Sequence, residues 1–120
     1  MKPYSRNERI AGLIQQVLAE LLLKQIGDPR LSRATITAVR VSRDLRIAKI
    51  YFATAGGEDK SGDVLQGFNR AKGFCKRQLA QRLELRYTPD LKFFYDEVID
   101  HGARIEELLK TVKADDKKNS

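Results

Sequence analysis

Apolar residues recur along the first segment with the period of a helix. Ile10, Leu13, Ile14, Val17, Leu18, Leu21 and Leu22 fall on one stripe, and Ser5 with Glu8 three positions later forms a capping box ahead of it. A long first helix is predicted. Gly27-Asp28-Pro29 should end it, since glycine accepts a left-handed cap and proline pushes its predecessor out of helical geometry. From Thr35 to Thr54 the chain turns β-branched and aromatic, with Arg43-Asp44-Leu45-Arg46 as a polar interruption, the pattern of a hairpin. Its second strand alternates, with Ala48, Ile50 and Phe52 on one side and Lys49, Tyr51 and Ala53 on the other. In the first strand Ile36 and Val39 are out of phase, which predicts a bulge.

After a loop at Gly56 to Lys60, a second helical stretch is predicted from a Ser61 cap to about Leu85, then a third strand at Leu91 to Asp96. A short last helix carries Ile105, Leu108, Leu109 and Val112. The order αββααβ plus a final helix describes an α+β layer sandwich. As one straight rod, the second stretch buries Val64, Leu65, Phe68, Ala71, Cys75, Leu79 and Leu83 but turns Phe74 about 120° from the centre of that stripe, at ~100° per residue. Ala71-Lys72-Gly73 offers a place for an interruption, because an interior glycine costs about 1 kcal/mol relative to alanine. Arg70, Gly73 and Arg77 share an outward row with Lys76 nearby. A break there admits a phosphate backbone to the N–H groups of a restarted helix; the alternative is that Gly73 merely packs closely against another element.

The chain has 120 residues, 42% of them hydrophobic, enough for one self-sufficient core. Residues 1–109 read as one domain and 110–120 as a charged flexible tail. The start of the chain lacks the pattern of a secretory signal, and the longest purely apolar run is Leu21-Leu22-Leu23, so a cytoplasmic protein with no membrane partner is expected. The net charge is +7 and unevenly spread. Arg30 to Lys49 carries six positive charges and one negative, Arg70 to Arg86 again six and one, whereas Tyr87 to Leu109 nets −4. That polarity is the electrostatic footprint of a nucleic-acid binder, although a basic surface also occurs for solubility alone.

Catalytic chemistry finds little to use. His101 is the sole histidine and sits beside Gly102 at a helix start. Cys75 lies on the apolar stripe, where an inert buried thiol is expected. Asp96 and Glu97 are neighbours on a strand and face opposite sides, so they cannot work as a paired acid and base. No phosphate-binding glycine loop with a Lys-Ser or Lys-Thr ending is present, and no Cys/His cluster has zinc spacing. A non-enzyme without metal or cofactor is expected.

Several short motifs occur in a specific order: Asp28-Pro29-Arg30, then Val41-Ser42-Arg43-Asp44-Leu45 with Ala48-Lys49, then Ala71-Lys72-Gly73-Phe74, then Pro89-Asp90-Leu91-Lys92-Phe93-Phe94-Tyr95-Asp96, and finally Gly102 with Arg104-Ile105 and Leu108-Leu109. Together, over about Arg6 to Leu109, they resemble the ribosome-binding factor A family of small bacterial ribosome-assembly proteins. The resemblance implies a KH-like fold of the second topological type, with an Ala-x-Gly kink at Ala71 and Gly73 in place of the usual Gly-x-x-Gly loop. It also implies binding to the 30S subunit and 16S rRNA during late maturation near the rRNA 5′ end, importance in the cold, and release aided by a ribosome-associated GTPase. This chain departs from the family's usual small polar residue at the kink, because Arg70 and Lys72 flank Ala71.

The rRNA-binding residues expected from charge and resemblance together are Arg70, Lys72, Gly73, Lys76 and Arg77, with Arg82 and Arg86 as outer members. Arg43, Arg46 and Lys49 form a second basic patch. Aromatic stacking has less support, as Phe52, Phe68 and Phe93 read as core and only Tyr51, Phe94 or Tyr95 remain as exposed candidates, so phosphate and shape contacts should dominate. A monomer acting without covalent chemistry is the leading expectation. A protein-interaction adaptor using the acidic Asp96 to Glu107 surface, and a small ferredoxin-like enzyme, are the other classes.

Overall fold

The helical and strand periods resolve into two helices on one face of a three-stranded sheet, in a computed structural model that describes residues 5–24 and 27–98. The elements are α1 (Arg6–Lys24), a 3-10 turn (Pro29–Arg33), β1 (Ala34–Val41), β2 (Ile47–Thr54), α2 (Glu58–Arg82) and β3 (Asp90–Tyr95). The last helix, the tail at 110–120 and His101 lie outside the described residues. Helix α1 begins as its capping box predicts, with the Ser5 hydroxyl oxygen accepting the Glu8 N–H at 3.4 Å. It buries Ile14, Val17, Leu18 and Leu21, while Leu13 stays at the solvent edge. Gly27 does not take the expected left-handed conformation. The chain instead reverses through Asp28, whose carboxylate accepts the Arg30 N–H at 3.0 Å and binds the Arg30 guanidinium at 2.6 Å.

The hairpin β1–β2 is antiparallel, and its register slips between Ile36 and Ala38, the bulge that the phase of Ile36 and Val39 requires. In the connecting turn, Asp44 accepts the Ser42 hydroxyl at 2.6 Å and the Arg46 N–H at 3.1 Å. These bonds hold its carboxyl below the usual range, the Ser42 hydroxyl contributing most and the Arg46 N–H next. They also support the left-handed backbone of Leu45, φ 62°. Strand β3 pairs with β2 in parallel, so a crossover is obligatory, and α2 supplies it. Gly57, at φ 71° and ψ −153°, opens α2 in a conformation that a side chain would strain. The helix therefore starts at Glu58, before Ser61, whose hydroxyl donates to the Glu58 carbonyl at 2.7 Å and serves as no cap.

The expected interruption is absent. Helix α2 runs through Ala71 and Gly73 without a break, so the order is αββαβ, with one long helix where two were expected. The physical reason lies on both sides of Gly73. Val64, Phe68, Cys75, Leu79 and Leu83 stay buried on a single stripe, and Phe74 reaches the core as a half-buried side chain from the stripe's margin. That continuous packing outweighs the propensity cost of one exposed glycine. Phe68 stacks on Phe93 at 4.7 Å and tilts against Phe52 at 5.0 Å, fastening α2 to the sheet.

The glycine that does pack closely is Gly67. A Cβ there would lie 3.0 Å from Leu31 Cδ2 and 3.4 Å from an Asp28 carboxylate oxygen, so α2 meets the 3-10 turn at van der Waals contact. At Gly73 a Cβ would meet only the Arg77 Nη1, at 3.4 Å. Gly73→Ala should therefore stabilise the fold by roughly 0.5–1 kcal/mol through helix propensity. Gly67→Ala should destabilise it by about 1 kcal/mol or more, because the buried Leu31 cannot yield freely. Urea unfolding of both variants checks the opposite signs. Asp28 gives a pH prediction. The Arg30 guanidinium, and next the Arg30 backbone N–H, hold its carboxyl at about 2 against an ordinary 3.8. A depressed folded-state value means that the contribution is complete above about pH 4 and vanishes as pH falls through about 2. Unfolding midpoints of the wild type and Asp28→Asn should differ most above pH 4 and converge towards pH 2.

Candidate nucleic-acid interface

Helix α2 turns its polar arc away from the sheet, and Arg70, Gly73 and Arg77 lie along that arc as exposed residues. At 1.5 Å rise per residue the two arginines are about 10 Å apart along the axis. Gly73 supplies room on the helix surface, over which the Arg77 guanidinium folds back. Lys72 is half-buried and, at about 100° per residue, stands some 160° round the helix from Arg70, at the margin of the buried stripe and outside the row. Because α2 is unbroken, its N–H groups at this point belong to the helical ladder and none is offered as the donor of a restarted helix. The chemistry available here is therefore that of side-chain cations alone.

Two of the expected binding residues have acidic partners. Lys76 Nζ lies 3.7 Å from Asp90, and Arg82 is bonded to Glu20 of α1 at 2.6 Å. Arg70 and Arg77 form no salt bridge among the described residues, although Arg70 is close enough to Asp28 to help lower its carboxyl. Exposed pairs such as these contribute about 0–1 kcal/mol, so a phosphate can replace the carboxylate at little cost.

The second basic patch divides. Arg43 and Arg46 sit in the hairpin turn, whereas Lys49 projects from the sheet face opposite the helices, so the cations do not all share one surface. Arg86 parts from the α2 row and joins Arg46. Together with Arg6, Asp44 and Tyr87 they line a cleft of about 250 Å³ between the start of α1, the hairpin turn and the segment after α2. Arg86 lies 5.5 Å over the ring of Tyr87, which is itself largely exposed. Arg6 is the member that sequence reasoning missed, since only the tertiary fold brings it to the turn.

The groups weighed for chemistry fall elsewhere. Cys75 is fully buried, and burial pushes its thiol up to about 11, so it is protonated at neutral pH. Asp96 lies just past the end of β3 and accepts the Thr37 hydroxyl at 2.8 Å. Among the described residues no cluster of His, Cys, Asp or Glu has the makings of a metal site, and no helix is long and apolar enough to cross a membrane. Most of the acidic stretch to Glu107 lies outside the described residues.

Residues 6–109 match the family model described as Ribosome-binding factor A. A relative of that name from Desulfatibacillum aliphaticivorans is 48% identical over 112 residues, 93% of this chain and 91% of the relative. The crystal structure of ribosome-binding factor A from Thermus thermophilus superposes with a TM-score of 0.66 at 28% identity, covering 77% of this chain and 97% of that one. Coordinates of the Thermus thermophilus factor fitted into a cryo-EM map of its complex with 30S superpose at 0.57 and 30% identity, over 70% of this chain and 88% of that one.

Proposed function

Since the chain belongs to the ribosome-binding factor A family, we propose that it docks on the small ribosomal subunit by laying the α2 row of Arg70, Gly73 and Arg77 against 16S rRNA phosphates, with Lys76 and Arg82 at its flanks joining by exchanging carboxylates for phosphate. The observation that carries this reading is the row itself: exposed guanidiniums at Arg70 and Arg77, unpaired among the described residues and separated by a side-chain-free position at Gly73. The relative seen in complex with 30S supports the choice of partner.

The binding domain is residues 1–109, and the segment 110–120 is an appended charged tail. The protein is a monomeric, cytoplasmic, non-catalytic factor that holds or checks a conformation of the 30S particle late in its maturation, including the stage of 16S 5′-end processing. Its importance grows in the cold, where misfolded rRNA contacts release slowly, and a ribosome-associated GTPase drives its departure.

Affinity for purified 30S particles should fall steeply with salt, because each neutralised phosphate releases condensed counterions. Arg70→Glu with Arg77→Glu should weaken co-sedimentation with 30S by well over tenfold and lower the slope of log affinity against log salt by about two, one per lost phosphate contact. Circular dichroism should be unchanged, since both residues are exposed. Full binding by the folded double variant would remove α2 from the interface.

A further inference from the structure

Both helices occupy one face of the sheet, and alternation along the strands makes the other face readable residue by residue. Register pairs Arg40 with Lys49 and Lys49 with Lys92, so three cations form a row across all three strands. All three are exposed, and none makes a salt bridge among the described residues. Like charges directly opposite one another on neighbouring strands destabilise a sheet, so this row is a cost that folding alone does not explain. The next row on the same face is Ala38, Tyr51 and Phe94. Tyr51 and Phe94 stack on each other at 5.6 Å with 29° between their planes, and Phe94 remains 40% exposed.

We infer that this open sheet face binds single-stranded RNA, with an unpaired base stacked on the Phe94–Tyr51 pair and its flanking phosphates on the Arg40–Lys49–Lys92 row. The charge selects the occupant: an apolar platform alone would suit many partners, but one bordered by three unpaired cations suits a polyanion that also carries flat rings. One pleat repeat of about 7 Å separates the two rows, comparable to the reach from a phosphate across its ribose to the base. Asp90 and Asp96 close the face at the ends of β3. Asp90 lies 3.7 Å from Lys76, and Asp96 accepts the Thr37 hydroxyl. This surface is separate from the α2 row, on the far side of the core, so the protein would contact structured rRNA with one side and an unpaired strand with the other. The inference deepens the rRNA-binding reading above and rests on it.

The test uses the full chain and two ligands: a short fluorescein-labelled oligouridylate at low salt, and purified 30S particles. Wild type should bind the oligouridylate. Tyr51→Leu with Phe94→Leu should weaken that binding by at least about tenfold, the scale of losing one stacked base. Phe94→Tyr should retain it, and Lys49→Gln should lower its salt slope by about 0.7, the increment of one phosphate contact on a single strand. Circular dichroism guards against unfolding, with Phe94→Tyr as the conservative control. A wild type that ignores the oligouridylate, or a folded double leucine variant that binds it as well as wild type does, overturns the inference. Loss of 30S binding in the leucine variant with oligouridylate binding intact would assign the face to a ribosomal protein and equally overturn it. Failure of the rRNA reading shows separately, as Arg70→Glu with Arg77→Glu having no effect on 30S whatever the oligouridylate does.

Discussion

The stacking of Phe68 on Phe93, with Phe52 tilted against it, sets the position of everything else in the molecule. Two of these rings belong to adjacent parallel strands and the third to the helix that crosses between them, so the contact fixes the rotation of α2 about its own axis. Once Phe68 points down, Gly67 must meet Leu31 at one edge of the stripe, and Arg70, Gly73 and Arg77 must face solvent. The binding row follows geometrically from a core contact. Crowding at Gly67 makes the arrangement specific, because a helix rotated by one residue would place a side chain where the 3-10 turn already sits.

The same one-sided packing accounts for the division of charge. A sheet covered on one face sends alternate residues into two different environments, so a chain with +7 net charge distributes its cations over both the outer surface of α2 and the bare side of the sheet. Carboxylates temper the helix side, where Glu20 and Asp90 meet Arg82 and Lys76, and Asp28 faces Arg30 and Arg70. Such exposed pairs are exchangeable. They lower self-repulsion in the free protein without committing the cations permanently.

Local periodicity made much of this legible. The α1 stripe, the hairpin with its polar turn, the phase shift in β1 and the third strand each depend on residues close in sequence, and each is present. What the sequence hid depends on tertiary placement. Gly73 reads as a hinge only if propensity decides, whereas packing of Cys75 and Leu79 holds the helix together beyond it. Gly67 carried a usable signal, since it sits between Val64 and Phe68 on the buried arc where a missing side chain implies close approach. The place of Arg6 beside Arg46 and Arg86, and the pairing of Tyr51 with Phe94, had none: the first needs three separate segments to converge, the second the parallel register of β2 and β3.

The irregularity at Thr37 has a consequence for how the chain can vary. It lets Ile36 and Val39 both look inward, although three positions separate them. Deleting Thr37 would leave every pair of the register in place, from Ile36 opposite Phe52 and Ala38 opposite Tyr51 onward, and simply close the ladder. The same loss at Arg40 would break the phase between Val39 and Val41 and turn one of these buried side chains to water. The spare residue thus marks where β1 can shorten without cost to the interior, while the rest of the strand keeps its length.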